Sequence, residues 1–69
     1  MEIEEEVPLN SLPAAVKAGI EQQAGQGKIL KVESITKNNK IVAYEAEVQA
    51  GGKKSEIKVG PDGKPSTRD

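Results

Sequence analysis

Paired carboxylates are the residues of this sequence whose type and spacing come closest to chemistry. Glu33, Glu45, Glu47 and Glu56 lie in segments with strand-like alternation. The strand register derived below predicts that Glu33 faces Glu45 and that Glu47 faces Glu56 on one face of a sheet. Like charges that face each other raise a carboxyl pKa, which acid–base catalysis can use. Glu33 and Glu45 are therefore the candidates for any catalytic activity.

The surroundings of these carboxylates favour a non-catalytic interpretation. The chain has no His and no Cys, so it lacks the usual bases for activating a serine and the thiolates that bind zinc. Lys31 is predicted beside Glu47 and Lys58 beside Glu45, which makes the face a solvated alternation of charges without a cleft. The sequence therefore predicts no enzyme, no metal site and no cofactor.

Most of these carboxylates belong to residues 40–59, a segment that is typical of a β-hairpin. Its apolar residues alternate and so share one face, as the following list shows: Val42, Tyr44, Ala46, Val48, Ile57 and Val59. A two-residue type I′ loop at Gly51-Gly52 predicts three facing pairs: Val48 with Ser55, Ala46 with Ile57, and Tyr44 with Val59. A slip of one residue would expose the apolar side chains of one strand to water, so the pattern fixes the register.

The preceding strand is predicted over residues 28–37, where apolar residues occur on both faces. A two-residue loop at Asn38-Asn39 would pair Glu33 with Tyr44 and mix the faces. A three-residue loop, 38–40, instead pairs Ser34 with Tyr44 and Val32 with Ala46, and it buries Leu30 beside Val32. The hydrophobic pattern therefore favours the three-residue loop.

One helix is predicted before these strands. Ser11 is a suitable N-cap and Pro13 fits the first turn. Leu12, Val16 and Ile20 form an apolar stripe, and Gly25 and Gly27 end the helix. Gly19 costs about 1 kcal/mol relative to Ala inside a helix. It either allows a close approach to the sheet or is a tolerated weakness.

The predicted fold class is α+β, one helix packed on a three-stranded antiparallel meander, with a fourth strand left open. Residues 1–69 form a single domain, in which 1–6 and 65–69 are predicted to be flexible. Ile3 and Val7 share one parity, so a short edge strand competes with fraying at the acidic start. A strand after Gly63 is disfavoured because residues 64–69 contain Pro65 and no apolar side chain.

A small aliphatic patch is the candidate partner-binding surface. The register places Ile35 and Ala43 together on the outer face, with Ile41 diagonal to them and Glu33 and Glu45 adjacent. Three interpretations stay open: ordinary exposed apolar residues, a contact patch for a second copy or a protein partner, or a bulge that turns Ile35 inward.

Charge and hydropathy exclude two classes of partner. The 11 acidic and 10 basic residues give a net charge of −1 and are interspersed, so no strong field attracts nucleic acid. Tyr44, the single aromatic residue, faces the helix in this register and is not placed to stack on bases. No apolar run approaches the ~20 residues of a membrane-spanning helix.

The sequence resembles the small PepSY-like domains, also described as β-lactamase-inhibitor-like. The resemblance lies in VPLNSLPAAVKAGIEQQ (7–23), GKILKVESITKNNKIVAYEAEV (27–48) and GGKKSEIKVGPDGK (51–64). It implies a helix on an antiparallel sheet, export from a bacterial cell, and a role in regulating peptidases. The chain departs from the pattern by lacking an export signal, so the implied location requires that Met1 was added to a mature sequence. It also carries 64–69 in place of a last strand.

Together these observations predict a non-enzymatic protein-binding module of the bacterial cell envelope, periplasmic or extracellular, that regulates or inhibits a peptidase. The partner is a protein or a second copy of the domain. The alternative is a structural, self-associating domain without a separate ligand, because a chain of this length buries little surface and gains stability from association.

Overall fold

Four antiparallel strands, in the order β1-β2-β3-β4, form one sheet in the computed structural model, which describes residues 1–66. The elements follow in chain order: β1 (Glu2–Glu6), a short 3-10 helix (Leu9–Ser11), α1 (Ala14–Ala24), β2 (Lys28–Lys37), β3 (Lys40–Ala50) and β4 (Lys53–Val59). The α+β class, with one helix on an antiparallel sheet, is confirmed. The sheet has four strands, where the sequence predicted three and left a fourth open.

The fourth strand is β1, at the start of the chain and not after Gly63. Ile3 pairs with Thr36 and Glu4 with Ile35, so residues 2–6, predicted to be flexible, extend the sheet beyond β2. Between Gly63 and Ser66 the chain forms an isolated bridge of Pro65 with Val59 and a hydrogen bond from the Ser66 N–H to the Lys58 carbonyl. Residues 67–69 of the predicted flexible tail lie outside the described residues.

The β3–β4 hairpin has the predicted register. Val48 pairs with Ser55, and Tyr44 pairs with Val59. Gly51 and Gly52 have φ angles of 58° and 80°, which a type I′ turn requires and glycine adopts without strain. Alternation and turn chemistry agree here, so the prediction is confirmed.

The β2–β3 hairpin corrects the predicted loop while keeping the central register. Asn38 and Asn39 form a two-residue turn with φ angles of 52° and 66°, and Thr36 pairs with Ile41. The register then shifts by one residue at Val42. A β-bulge absorbs the extra residue, so the preferred turn and the preferred face pattern coexist. The three-residue loop is wrong, although Ser34 does face Tyr44 as predicted.

A second register shift, at Leu30, overturns the predicted burial of this side chain. Ile29 pairs with Val48 and Lys31 with Glu47, so Leu30 has no facing residue on β3. Leu30 is 37% exposed, whereas Ile29 packs against the core. The extra residue changes the parity of β2, and Ile29 takes the inward position.

The core lies between α1 and one face of the sheet. Its buried residues come from the segment before α1, from α1 and from β2, β3 and β4: Leu12, Val16, Ile20, Val32, Tyr44, Ala46, Val48 and Val59. Val16 and Ile20 of the predicted helical stripe are fully buried, and Leu12 is nearly so but precedes α1 in extended backbone. Burial of such side chains is worth about 1.5–3 kcal/mol each, which holds an eleven-residue helix that could not persist alone in water.

The helix begins differently from the prediction and ends as predicted. Pro13 occupies the cap position without a side-chain hydrogen bond, and the Ser11 hydroxyl donates to the Pro8 carbonyl at 2.8 Å. Ser11 therefore belongs to the 3-10 turn and is not the N-cap. At the other end Gly25, with φ of 59°, donates its N–H to the Glu21 carbonyl and terminates the helix.

Candidate functional site

The predicted carboxylate pairs are present on the sheet face opposite α1. Glu33 faces Glu45, and Glu47 faces Glu56. Burial raises the pKa of Glu45 above its ordinary value; the Glu56 carboxylate raises it further, Lys58 opposes this, and Glu4 and Glu33 add smaller increases. The perturbed group is therefore a partly covered carboxylate in a mixed charge environment.

Lysine side chains accompany these carboxylates. Lys31 faces Glu47 and Lys58 faces Glu45 across the strands, as predicted. The Lys31 Nζ lies 3.8 Å from Glu33 Oε2, a same-strand neighbour and not the predicted Glu47. Such exposed pairs contribute about 0–1 kcal/mol. Within residues 1–66, no three Asp or Glu side chains converge as ligands for a metal ion.

Two members of the predicted aliphatic patch are buried, which corrects the sequence interpretation. Ile35 is 4% exposed and Ala43 is 5% exposed, so neither offers a free contact surface. The cause is β1, which makes β2 an internal strand and sets Glu4 on one side of Ile35 while Ala43 lies on the other. The bulge beside Ile35 is in β3 at Val42, and the bulge of β2 itself lies at Leu30. Ile35 keeps the same face as Glu33, so a neighbouring strand buries it and a bulge does not turn it inward.

The third member, Ile41, remains exposed, but in another row. It pairs with Thr36, which also faces Ile3 of β1. Ile3 and Ile41 are 46% and 44% exposed and flank Thr36 on either side. Glu33 and Glu45 are half-buried. The five residues predicted as one site are thus divided between a buried pair, a charged pair and a separate aliphatic residue.

The outer edge of β1 is strongly acidic. All five of its residues are exposed, and four of them are Glu. The Val7 N–H donates to the Val32 carbonyl, and backbone groups of an antiparallel edge strand point alternately inward and outward. The odd-numbered residues therefore hydrogen-bond to β2, while the backbone groups of Glu2, Glu4 and Glu6 point away from the sheet.

The outer edge of β4 carries the opposite charge at its start. Lys53 and Lys54 are exposed, and the Lys58 carbonyl accepts a hydrogen bond from the Ser66 N–H at 2.9 Å. By the same alternation, the backbone groups of Lys54 and Glu56 point outward beside that of Lys58. Among residues 1–66, Pro65 and Ser66 cover only the end of this edge, which leaves Lys53 to Ile57 open.

Sequence reasoning missed both edges as candidate sites, although a signal was present. EIEEE in β1 and KKSEIK in β4 carry opposite net charge. This contrast has a meaning only if both segments are edge strands. The prediction left the acidic segment open between a short edge strand and a flexible end, so the segment was not assigned to the sheet.

Two shallow depressions meet near Leu9 and Ile29. One, of ≈170 Å³, lies between residues 6–9 and residues 29–32. The other, of ≈430 Å³, reaches the end of α1 at Ala24 and Gly25. Their walls combine aliphatic side chains with Glu6 and Lys31 in the first depression and Glu21 in the second.

Comparison with known proteins identifies no relative. No protein-family model matches the chain, and no curated protein or solved structure matches it. The resemblance to PepSY-like domains therefore stays a prediction. No helix in the described part of the chain is long and apolar enough to span a membrane.

Proposed function

We propose that this protein is a non-enzymatic protein-binding module that adds an extended segment of its partner to the open edge of β4. The observation that carries the proposal is the outward-pointing backbone of Lys54 and Glu56, which no residue within 1–66 covers. An edge strand of this kind is a template for strand addition, in which main-chain hydrogen bonds supply affinity and alternate side chains supply specificity.

The charge of the β4 edge specifies the partner segment. Lys53 and Lys54 are adjacent on the strand, so their side chains project to opposite faces. An added strand with carboxylates on both faces would meet a lysine on each. Opposite charges that face each other across strands contribute about 0.2–1 kcal/mol per pair, and like charges are destabilising. The proposed ligand is therefore an extended acidic segment.

The absence of a nucleophile–base pair from the sequence supports a function without catalysis. The chain contains no His or Cys, and Ser34 is a buried residue that faces Tyr44. The only perturbed carboxylate described, Glu45, lies on a sheet face among lysines and other carboxylates. These features favour binding over acid–base chemistry.

The resemblance to PepSY-like domains adds a location and a class of partner to the proposal. On that basis we place the protein in the bacterial cell envelope, where it regulates or inhibits a peptidase. The alternative, a self-associating structural domain, is favoured by one specific observation, the opposite charges of the two sheet edges, which is developed in the next subsection.

A peptide titration tests strand addition directly. The probe, called the Thr-Glu peptide, has the sequence Thr-Glu-Glu-Thr-Glu-Glu, so that carboxylates project from both faces of the added strand. Its length of about six residues matches a typical strand, and it is added to ¹⁵N-labelled protein. We expect saturable chemical-shift changes that are confined to the amides of residues 53–57. A matched Thr-Lys peptide and an N-methylated Thr-Glu peptide serve as controls. Changes on the β1 side alone, or none at all, would contradict the proposal.

The proposed peptidase partner has a separate test. The wild-type protein and the Lys53→Glu/Lys54→Glu variant are each used to capture proteins from a bacterial envelope extract. A peptidase retained by the wild type and lost from the variant supports the proposal. A peptidase held equally by both would place the contact elsewhere on the molecule, and capture of no peptidase would remove this class of partner.

A further inference from the structure

We infer that the acidic segment received by β4 is strand β1 of a second copy of this chain, so that copies join edge to edge into one continuous sheet. The inference rests on the proposed use of the β4 edge and names its occupant. It is carried by three independent features of the two edges: their direction, their charge and the phase of their outward-pointing backbone groups.

The direction of the strands permits this contact without any rearrangement. Each strand runs antiparallel to its neighbour in the order β1-β2-β3-β4, so β1 and β4 of one copy run in opposite directions. When β1 of the next copy is placed beside β4, the antiparallel alternation continues. Because the alternation of faces also continues, the α1 helices of both copies lie on the same side of the extended sheet.

Charge selects this contact over the symmetric ones. An isologous β1–β1 contact would bring two EIEEE strands together. A β4–β4 contact would join two KKSEIK segments that each carry a net positive charge, although in the register centred on Ser55 it sets Lys54 opposite Glu56 of the other copy. Like charges that face each other across strands are destabilising. Charged edges ordinarily prevent edge-to-edge pairing, but here the two edges of one molecule have opposite net charge, so only the heterologous contact joins edges of opposite net charge.

The phase of the backbone groups selects a register. On β1 the outward residues are Glu2, Glu4 and Glu6, and on the open part of β4 they are Lys54 and Glu56, as derived above. A hydrogen-bonded pair of Glu4 with Lys54 sets Glu2 opposite Glu56, and it sets Glu5 opposite Lys53 on the helix side. Two opposite-charge pairs then accompany one like-charge pair. A shift by two residues, to Glu6 with Lys54, retains only one opposite-charge pair on the open part of the edge.

The assembly that follows is open-ended. A heterologous contact leaves β1 free on the first copy and β4 free on the last, so each addition regenerates the same two edges. We therefore expect a distribution of oligomers whose average mass rises with concentration, not a discrete dimer. Because the selecting charges are exposed, association weakens as salt screens them.

Mixing two charge-reversal variants tests the inference with the full chain. In the register above, Glu4→Lys/Glu5→Lys sets lysines opposite Lys54 and Lys53, and Lys53→Glu/Lys54→Glu sets glutamates opposite Glu5 and Glu4. Neither variant should self-associate through a β1–β4 contact, and a discrete dimer of Glu4→Lys/Glu5→Lys would indicate a β4–β4 contact and overturn the inference. In an equimolar mixture each β1 again meets an oppositely charged β4, so association should return. Sedimentation velocity at low salt measures the average mass of the oligomers. The protein concentration is raised to about 1 mM, because a single weak contact between copies can have a dissociation constant in the millimolar range. We expect each variant alone to associate roughly tenfold or more weakly than the wild type.

A matched variant separates edge pairing from general charge attraction. Lys28→Glu/Lys40→Glu changes the net charge by the same amount as Lys53→Glu/Lys54→Glu, using exposed lysines of β2 and β3. Because its β1 and β4 edges are unchanged, this variant should self-associate as the wild type does, whereas Lys53→Glu/Lys54→Glu should not. Equal loss of self-association in the two variants would show a general effect of net charge and overturn the inference.

A backbone variant tests the hydrogen bonds themselves. Glu56→Pro removes the outward N–H of an edge residue, a position at which proline is tolerated, and it also removes the like charge opposite Glu2. Strand pairing predicts weaker association than in Glu56→Gln, which removes the charge alone. Association driven by charge without strand pairing would be equal in the two variants. Circular dichroism confirms that both remain folded.

The outcomes distinguish this inference from the proposed function. A wild-type protein that stays monomeric at all concentrations at low salt would overturn the inference. The same measurement is made on a variant that ends at Ser66 and lacks residues 67–69. The Thr-Glu peptide titration is then made on Glu4→Lys/Glu5→Lys, whose β4 edge is intact. Peptide binding without self-association would retain the protein-binding proposal with a different partner, whereas failure of both experiments would overturn both.

Discussion

Gly19 of α1 and Gly63 of the turn after β4 pack backbone against backbone. A side chain at Gly19 would overlap the Gly63 carbonyl, and a side chain at Gly63, where φ is 84°, would overlap the carbonyl of Ala15. The turn is held in shape by the Asp62 side chain, which accepts a hydrogen bond from the Lys64 N–H at 2.9 Å. The helix glycine thus allows a close approach, as one of the two sequence interpretations proposed, but to a turn and not to the sheet.

Gly19→Ala is expected to destabilise the fold. Alanine normally stabilises a helix interior by about 1 kcal/mol relative to glycine, but here the added methyl group must displace the 60–64 turn, which typically costs about 1–3 kcal/mol. Urea unfolding measures the difference, and Ala18→Gly at the exposed neighbouring position should show only the propensity cost of about 1 kcal/mol. Stabilisation by Gly19→Ala would show that the turn does not press on the helix.

Ile35→Lys is expected to unfold the protein instead of only removing a contact surface. Ile35 is 4% exposed between Glu4 and Ala43, and burying an unpaired ammonium group there should cost about 3 kcal/mol or more. Ile41→Lys, at a residue that is 44% exposed, is the control and should change the free energy of unfolding by less than about 0.5 kcal/mol. Equal melting temperatures of the two variants would show that Ile35 is exposed at the surface.

Asn39→Gly is expected to stabilise the β2–β3 turn, and Asn38→Ala to destabilise it. Both asparagines have positive φ. Asn-Gly is the preferred type I′ pair, whereas alanine in a left-handed conformation costs about 1–2 kcal/mol. Urea midpoints of the two variants should move in opposite directions. A three-residue turn over 38–40 would not shift the two urea midpoints in opposite directions, because it does not require both asparagines to adopt a left-handed conformation.

Glu45→Gln is expected to raise the melting temperature near neutral pH, with a gain that shrinks on acidification. Because burial raises the pKa of Glu45 in the folded state, its ionisation opposes folding above that pKa, and this penalty disappears as the pH falls through it and the carboxyl becomes neutral. Melting temperatures of wild type and variant at about pH 7 and at about pH 4, below the ordinary glutamate value, measure the difference. Glu21→Gln, at an exposed helical position, is the control. A gain that grows on acidification would contradict the sign.

The elements that could be predicted are those in which two local signals agree. In the β3–β4 hairpin the alternation of apolar residues and the Gly51-Gly52 turn give the same register, and α1 has a stripe ended by glycine. The β2–β3 hairpin was ambiguous because its turn and its face pattern disagree by one residue. A bulge at Val42 reconciles them, and nothing local marks which residue will be the extra one.

The candidate site depended on features that local pattern does not contain. Ile35 and Ala43 looked exposed because β1 was not assigned to the sheet, and an acidic strand has little intrinsic tendency to pair. Only the long-range pairing of Glu4 with Ile35 buries them and makes the acidic segment an edge.

The sequence by itself determined the fold class, the β3–β4 register, the helical stripe and the carboxylate pairs, because these follow from residue periodicity and turn chemistry within a few residues. The tertiary structure decided the fourth strand, the two bulges, the contact of Gly19 with Gly63 and the identity of the two sheet edges. Each of these depends on which distant segments come together to satisfy backbone hydrogen bonds and to exclude water, and that choice is made by the whole chain at once.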